Sequence, residues 1–398
     1  MRLPSHFIIF SIVLIDMVGM SLVLPVIPLY AEKFTVSPFV ITLLYSIFAV
    51  CSFLALPILG SLSDKFGRKP VLVMSILGSS MGWIIFALGN KLWILFLGRM
   101  IDGATAGNVS VAQSYLTDIS EPGHDRIKKL SLIPTALGIG FITGPAIGGV
   151  LSKISMTLPF WIAAAITLMN GVIALIFLPE SIREKQHHLK ISKNPFGSIM
   201  QGLATKKYRL ILFLVLLTSM AFESYHSTFI LYVNRAFGLE AHQAGLVLSG
   251  VGVVIALNQI FLLKKWIRNF TPFKIQIITV SILIGGFTLL ALMPLPAFLS
   301  ILAITAICEG TLTIINASEL STKADECERG KIIGISHSLL ALAQITSPTI
   351  TSSVMEKYLR APWFIPIIWL TIILMVLTVK KRELKKQEIG SIPPIQIT

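Results

Sequence analysis

Long apolar runs alternate with short polar segments along the chain of 398 residues. Each run holds about 20 residues, the length that an α-helix needs to cross the hydrocarbon core of a bilayer. Twelve runs are therefore predicted to form transmembrane spans 1 to 12, at about 7–29, 38–60, 71–89, 92–115, 131–152, 158–178, 209–232, 243–263, 273–293, 296–317, 331–352 and 361–379. The pattern predicts an all-α polytopic membrane protein.

The longest polar segment, 179–208, lies between spans 6 and 7. It separates an N-terminal unit, 1–178, from a C-terminal unit, 209–379, which is followed by a polar tail, 380–398. Six spans on either side of a central linker predict two six-helix bundles related by duplication, although the two halves share little residue-level identity.

Composition excludes several classes of protein. The chain is 54% hydrophobic and 13% charged, so a soluble fold could not cover its own surface with polar groups. Its net charge of +14 does not indicate nucleic-acid binding, because the basic residues form short clusters between apolar runs. The three cysteines are far apart and lack C-x-x-C spacing, so the sequence predicts neither a disulfide framework nor a metal site. No cofactor is predicted.

The distribution of Lys and Arg predicts the orientation. If the N-terminus is cytoplasmic, 26 of the 33 basic residues fall in cytoplasmic segments and 6 in outer loops, with Arg99 inside a span. Cytoplasmic loops carry this excess of positive charge. We therefore expect an inner-membrane protein with both termini in the cytoplasm.

A charged decapeptide, GSLSDKFGRK at 60–69, joins spans 2 and 3 and resembles the signature loop of the major facilitator superfamily. Other segments are similar to the twelve-span drug–proton antiporter branch, and in particular to the tetracycline-efflux proteins. They are DMVG at 16–19 with LPVIP at 24–28, GRMIDG at 98–103, GIGFITGPAIGG at 138–149 and LPES at 178–181. The resemblance implies a facilitator fold and alternating access.

Few ionisable residues lie within the spans, and such residues usually mark ion or substrate pathways. The candidates for proton coupling are Asp16, Arg99, Asp102, Glu223, His226 and Glu309. Arg99 and Asp102 are three residues apart and share a helix face, so they form either a structural ion pair or a proton-sensitive switch. The resemblance favours the switch, because the family's span-4 arginine is associated with proton transfer. Glu223 and His226 have the same spacing and either exchange a proton or form a structural hydrogen bond.

Asp16 is the first candidate for a substrate or proton contact. It precedes Gly19, Pro25 and Pro28, which loosen the helix, and interrupted helices are where transporters bind ligands. Further candidates for substrate binding are polar residues within spans, each of which could instead form a helix-packing hydrogen bond. They are Asn108, Gln113, Glu223, Asn258, Gln259, Asn316, His337 and Gln344.

Span 5 carries glycines at every fourth position, Gly140, Gly144 and Gly148, followed by Gly149. This stripe predicts close approach of another helix, and Pro145 predicts a bend. In the exporters that the chain resembles, this element is linked to antiport. The resemblance therefore favours export over uptake.

The loop between spans 2 and 3 is predicted to act as a cytoplasmic gate formed by Gly60, Asp64, Gly67, Arg68, Lys69 and Asp118. Gly67 allows a tight turn. Asp64 is expected to face the N-terminal end of span 11 near Ile332, and Arg68 is expected to reach Asp118. These contacts would hold the cytoplasmic side shut in the outward-open state.

The functional hypothesis is a monomeric, proton-coupled exporter of a drug-like molecule or metabolite, with protons, a small-molecule substrate and the lipid bilayer as its partners. One alternative is proton-coupled uptake or export of a polar metabolite or siderophore. A remote alternative is a non-transporting membrane sensor. The chain is not expected to be an enzyme, because it lacks a nucleophile–base pair, a metal cluster and a phosphate loop.

Overall fold

A computed structural model describes residues 4–182, 204–323 and 329–390. Most of the predicted linker and the end of the predicted tail lie outside the described residues. The structure therefore does not test the role predicted for either segment. The described regular structure is helical, and the predicted spans correspond to helices or to pairs of helices.

The N-half contains spans 1 to 6. Their helices are Ser5–Val23 with the short Ile27–Ala31 (span 1), Pro38–Phe66 (span 2), Arg68–Ala87 (span 3), Leu92–Ala104 with Asn108–Asp118 (span 4), Leu132–Ser152 (span 5) and Leu158–Phe177 (span 6). A seven-residue helix, His124–Leu130, connects spans 4 and 5.

The C-half contains spans 7 to 12. Their helices are Lys206–His226 with Phe229–Phe237 (span 7), Ala241–Leu257 continuing through a π-turn at Asn258–Leu262 into Leu263–Asn269 (span 8), Pro272–Leu290 (span 9), Leu295–Lys323 (span 10), Arg329–Met355 (span 11) and Ala361–Gly390 (span 12).

Ten helical segments in the described residues are long and apolar enough to cross a membrane. The other two predicted spans differ for separate reasons. Span 4 is broken at Thr105–Gly107 into helices of 13 and 11 residues. Span 11 has 27 residues but is interrupted by Ser, Thr, His and Gln side chains. Breaks and polar residues within spans are tolerated where the segment faces protein or a water-filled cavity.

The two halves use the same helix pairings. In the N-half, span 1 packs against spans 5 and 6, span 3 against spans 4 and 6, and span 2 against span 4. In the C-half, span 7 packs against spans 11 and 12, span 9 against spans 10 and 12, and span 8 against span 10. Adding six to each span number of the first set gives the second set. The duplicated plan inferred from the sequence is therefore present in the packing.

Two extensive helix contacts join the halves, between spans 2 and 11 and between spans 5 and 8, and a smaller contact joins Ile27–Ala31 of span 1 to Phe229–Phe237 of span 7. Adding six to each N-half span number and subtracting six from each C-half number converts the pair of spans 2 and 11 into the pair of spans 8 and 5. The halves therefore meet about a pseudo-twofold axis. We call the side that carries Ser5, Gly67 and Glu180 the terminus face, and the side that carries Glu32, Lys153 and Arg235 the far face.

Aromatic packing within the C-half fixes the position of Tyr225 near the middle of span 7. The ring of Tyr225 lies 5.3 Å from Phe287 and 5.7 Å from Trp363 between ring centroids. Trp363 is fully buried and also contacts Phe298. Since large buried rings lose many contacts when they move, this cluster provides a rigid wall beside the acidic residues described below.

Candidate functional site

Two connected spaces lie between the halves. The larger has a volume of about 630 Å³, lies toward the terminus face, and has walls from the N-half (Asp16, Asn108, Gln113) and from span 11 (Ile333, His337). The smaller has a volume of about 310 Å³ and lies deeper, between Tyr45, Arg99, Glu223, Glu309 and Gln344. We call them the vestibule and the central cavity. Ile333 at the vestibule is 38% exposed, so this space is open on the terminus side.

Hydrogen bonds and an ion pair join the halves toward the far face. Arg235 of span 7 contacts Glu32 at 2.8 Å and donates to the carbonyl of Val36 at 2.7 Å. Ser37 donates to Glu356 near the same surface, and deeper in, Thr42 Oγ1 lies 2.7 Å from Ser352 Oγ. The cavities are therefore closed toward the far face and open toward the terminus face.

Arg99 and Asp102 form the ion pair that their spacing predicts, with 2.7 Å between Nη1 and Oδ2. Their side chains are only 4% and 7% exposed. The guanidinium lies between the rings of Phe48 and Trp83, at 4.2 and 5.2 Å from the centroids. Aromatic faces attract a cation, so the charge of Arg99 is balanced from three sides.

Asp16 lies on the vestibule wall and accepts a hydrogen bond of 2.9 Å from the side-chain amide of Asn108. Asn108 follows the break in span 4, which places its amide opposite span 1. The Oδ1 atom of Asn108 is buried and has no hydrogen-bond partner among the described residues. The carboxylate of Asp16 on the vestibule wall is suited to a ligand that donates hydrogen bonds.

His226 pairs with a different acid from the one expected. Its Nε2 lies 3.1 Å from Glu309 of span 10 and 2.9 Å from the hydroxyl of Tyr225, which also contacts Glu309. Glu223 instead accepts a hydrogen bond of 3.2 Å from Gln344 of span 11. The predicted Glu223–His226 hydrogen bond is thus replaced by contacts between helices, because the tertiary packing brings spans 10 and 11 closer to these side chains than they are to each other.

The other candidate substrate residues divide into two groups. Gln113, His337 and Gln344 line the vestibule or the central cavity. Asn258 does not, because it is fully buried at the π-turn and donates to the Ile307 carbonyl at 3.1 Å and to Thr311 at 3.0 Å.

Asn316 also lies away from both spaces, within the C-half, where it bonds to Thr218 and Gln276. Gln259 lies at the exposed side of the π-turn. The expectation of substrate contact is therefore wrong for Asn258, which serves helix packing. Asn316 contacts a different cavity, described below.

The glycine stripe of span 5 faces span 1, as predicted. A methyl group added at Gly148 would collide with the backbone of Leu22, and one at Gly144 would collide with Ser21. Ser21 Oγ donates to the carbonyl of Gly140 at 2.8 Å. Gly149 and Pro145 face span 8 of the C-half instead, against His242 and Gly245. Span 5 thus makes close backbone contact on two sides, with its own half and across the interface.

The gate loop contains the predicted contact between Arg68 and Asp118, with 2.9 Å between Nε and Oδ2. Asp64 pairs with Arg68 at 2.6 Å, and its expected approach to span 11 near Ile332 is not among the contacts of the described residues. That approach was expected for a closed terminus face, and this face is open here. The Arg68–Asp118 contact was expected to close the same face, but it is present while the face is open, because both residues belong to the N-half and their contact does not cross between the halves. Gly67 has φ of 115°, a conformation that favours glycine, whereas nothing surrounds Gly60 closely.

The sequence did not single out Glu180 as part of the gate. Its carboxylate accepts hydrogen bonds from the backbone N–H groups of Arg68, at 2.9 Å, and Lys69, at 3.3 Å. These are free donors at the start of span 3, where a carboxylate is favourable. Ser181 next to it donates to Asp118 at 2.9 Å. The LPES segment carries part of the family resemblance, and its acid, so close to the end of span 6, is the signal in the sequence for this contact.

Comparisons with known proteins agree with this architecture. The family model described as Major Facilitator Superfamily matches residues 9–348 and also 212–394. The tetracycline resistance protein, class C, of Escherichia coli is 28% identical over 356 residues, covering 87% of this chain and 88% of that protein. The quinolone resistance protein NorA of Staphylococcus aureus is 24% identical over 390 residues, covering 96% and 98%.

Solved structures show the same fold at low sequence identity. The nucleoside transporter NupG is 15% identical with a TM-score of 0.78, covering 94% of this chain and 99% of that one. A bacterial homolog of the human lysosomal transporter Spinster, in an inward-facing and occupied conformation, is 15% identical with a TM-score of 0.76, covering 95% and 96%. The family match, the twelve-span plan and the cavity between the two halves together show that this chain is a multi-pass membrane transporter, and not an enzyme, that belongs to the Major Facilitator Superfamily.

Proposed function

We propose that the protein exports an organic amine with an apolar body across the inner membrane in exchange for protons. The observation that carries the proposal is a charge imbalance in the cavity. Arg99 pairs with Asp102 and His226 pairs with Glu309, whereas the hydrogen bonds described for Asp16 and Glu223 come from neutral amides. A carboxylate held in such a space binds either a proton or a cation.

The walls of the central cavity favour the apolar body. Phe48, Phe141, Phe229, Met20 and Leu248 surround the acids there. Aromatic and methionine side chains adapt to varied apolar shapes and attract cations. A protonated amine would thus place its charge against Glu223 and its rings against these side chains. Names of relatives such as the Escherichia coli tetracycline and Staphylococcus aureus quinolone resistance proteins also support a drug-like substrate.

Export requires that the open face be cytoplasmic. The excess of Lys and Arg in the segments on the terminus face supports this orientation, and with it cytoplasmic termini. Substrate would enter the vestibule from the cytoplasm and pass Asp16. When the transporter opens at the far face, external protons would bind to Asp16 or Glu223, release the amine and favour return to the inward-open state. The pseudo-twofold plan is complete within one chain, which supports a monomer.

The test is flux in proteoliposomes under an imposed pH gradient, with ethidium as the cationic probe and fluorescein as an anion of similar aromatic content. We expect the gradient to drive ethidium transport and to leave fluorescein unmoved. Asp16→Asn and Glu223→Gln should each lower proton-driven ethidium transport by about tenfold or more. Unchanged proton dependence in both variants, at wild-type yield and monodispersity, would contradict the proposal.

Proton-coupled uptake of a polar metabolite or siderophore remains the second candidate. The observation in its favour is the number of ionisable groups around the cavities, which exceeds what a purely apolar substrate needs. Inside-out and right-side-out membrane vesicles distinguish the two functions. An exporter loads ethidium into inside-out vesicles when their interior is acidic, and an importer shows the opposite polarity.

A further inference from the structure

A third cavity, of about 290 Å³, lies within the C-half between spans 7, 10 and 11. It lies on the terminus side of Glu223 and Glu309, since span 7 begins, span 10 ends and span 11 begins on that face. Besides Glu223, His226 and Glu309 at its inner end, the polar side chains on its wall are Thr218, Ser219, Thr313, Asn316, Ser336 and His337, which lie among apolar neighbours. A space of this size with several polar groups on its wall is large enough to hold water molecules that have hydrogen-bond partners.

The inner end of this C-half cavity is the acidic cluster itself. Glu223, His226 and Glu309 line both the C-half cavity and the central cavity, so they form the wall between the two spaces. His337 lines both the C-half cavity and the vestibule. The acids can therefore be reached from two directions, one through the substrate space and one through the C-half.

A chain of hydrogen bonds supports the wall of the C-half cavity toward the terminus face. Asn316 Nδ2 donates to Thr218 Oγ1 at 3.2 Å, and Gln276 Nε2 donates to Asn316 Oδ1 at 2.9 Å and to Glu319 Oε2 at 3.3 Å. Glu319 lies 3.9 Å from Lys323 at the end of span 10. Thr218, Asn316 and Gln276 are all at least 95% buried. Buried polar groups are costly unless they are bonded, and their role here is not helix packing alone, because Thr218 and Asn316 also face the cavity.

We propose that the C-half cavity is a proton exit that is separate from the substrate entry. This inference rests on the proposed function, in which protons reach the acids from the far side. In the inward-open state, the carboxyl O–H bond of Glu223 or Glu309 breaks, and the proton passes to water in the C-half cavity and then to the cytoplasm. The carboxylate that remains is balanced by the incoming ammonium group of the substrate, so one charge replaces another.

Other charged and titratable groups face this pair of acids from the surrounding elements. Tyr225 and His226 face them from span 7, His337 from span 11 and, across the central cavity, Arg99 and Tyr45 from the N-half. Between these acids and the terminus face, the C-half cavity carries Ser, Thr and Asn side chains and the imidazole of His337, among apolar side chains. A hydroxyl that orients water is therefore the group to remove, because its loss changes no charge.

Thr218→Val tests the exit, and Thr218→Ser, which keeps the hydroxyl, is its conservative partner. Thr288→Val is the matched control, because Thr288 is exposed on span 9 and bonds only to the carbonyl of Ile284 in the described contacts. Each variant is assayed in proteoliposomes in two ways. Exchange of labelled for unlabelled ethidium at equal pH requires only the substrate-loaded carrier, whereas net transport driven by a pH gradient also requires proton release.

We expect Thr218→Val to lower net transport by about tenfold while exchange stays within about twofold of wild type. Thr218→Ser and Thr288→Val should preserve both rates. If Thr218→Val keeps net transport, or if it lowers exchange as strongly as net transport, the separate exit is wrong. If the wild-type protein shows no proton-driven transport at all, it is the proposed function that fails.

Accessibility to water gives a second test that does not depend on transport. With the native cysteines replaced, Ser336→Cys on the exit wall should react with a hydrophilic thiosulfonate from the cytoplasmic side at least about tenfold faster than Ser281→Cys, which is exposed on the outside of span 9. Equal and slow labelling of the two cysteines would show that the C-half cavity does not hold connected water and would overturn the proposal.

Discussion

Arg99 in the N-half and His226 in the C-half each face a carboxylate, but the two pairs differ in their surroundings. The side chains of Arg99 and Asp102 are 4% and 7% exposed, and two aromatic rings cover the guanidinium. The side chain of His226 is 46% exposed and that of its partner Glu309 is 10% exposed. The helix pairings of the two halves are the same, so the difference comes from the side chains and from local backbone features, such as the break in span 4 that span 10 lacks.

The difference in exposure indicates that the two pairs have different roles in a proton-coupled transporter. A charge pair that is almost fully enclosed cannot lose one charge without a large cost, so the Arg99–Asp102 pair, which contacts the walls of both central spaces, is suited to hold its helix in place. A pair with a half-exposed member, such as His226, can exchange protons with water and a charge with substrate. We infer that the Arg99–Asp102 pair is the fixed anchor of the N-half and that the groups which titrate during transport are the C-half cluster and Asp16.

The largest expected effect separates the two pairs by stability. Arg99→Met leaves Asp102 as an uncompensated buried charge and should cost about 3 to 5 kcal/mol. His226→Gln should cost less, about 1 to 2 kcal/mol, because the Gln amide can still donate to Glu309, which also keeps the Tyr225 hydroxyl. Thermal stability in detergent, followed by fluorescence-detected size exclusion, measures both.

A double variant provides the control for this prediction. Arg99→Met combined with Asp102→Leu removes both charges and should recover most of the lost stability. Equal losses of thermal stability for Arg99→Met and His226→Gln would show that the enclosed pair and the half-exposed pair do not differ in their contribution to stability.

A second prediction compares span 5 with its counterpart in the other half, span 11, which has no stripe of glycines at every fourth position. Gly148→Ala places a methyl group against the backbone of Leu22 and should destabilise the protein by about 1 to 3 kcal/mol, with loss of transport. Gly138→Ala on the same helix meets open space and should be neutral or slightly stabilising. Melting curves and ethidium flux of the two variants test the contact, and similar losses in both would show that general helix effects dominate.

The smallest expected effect concerns the bond that joins the halves at the far face. Glu32→Gln weakens the partly exposed ion pair with Arg235 and should shift the balance toward the outward-open state by up to about 1 kcal/mol. Cysteine accessibility from the outside reports this shift. Glu240→Gln, at an exposed acid nearby on span 8, should leave accessibility unchanged. No shift in Glu32→Gln would mean that Thr42, Ser46 and the span contacts hold the far face closed without this pair.

Local patterns in the sequence predicted the features that depend on neighbours along one helix or one loop. The i,i+3 spacing predicted the Arg99–Asp102 pair, and the four-residue glycine period predicted the close packing of span 5. The Arg68–Asp118 contact followed from the resemblance and the loop's position. The same reasoning gave the wrong partner for His226, because a spacing of three residues cannot indicate that span 10 presents a closer acid.

Twelve apolar runs and the basic clusters by themselves predicted a twelve-span membrane protein, because membrane insertion depends on hydrophobic length and loop charge. The charged loop between spans 2 and 3 added the resemblance to the facilitator family. Only the tertiary structure decided which buried charges meet and which side of the cavity is open. Those properties depend on contacts between residues as much as 319 positions apart, such as Ser37 and Glu356, whose distance in space no local pattern encodes.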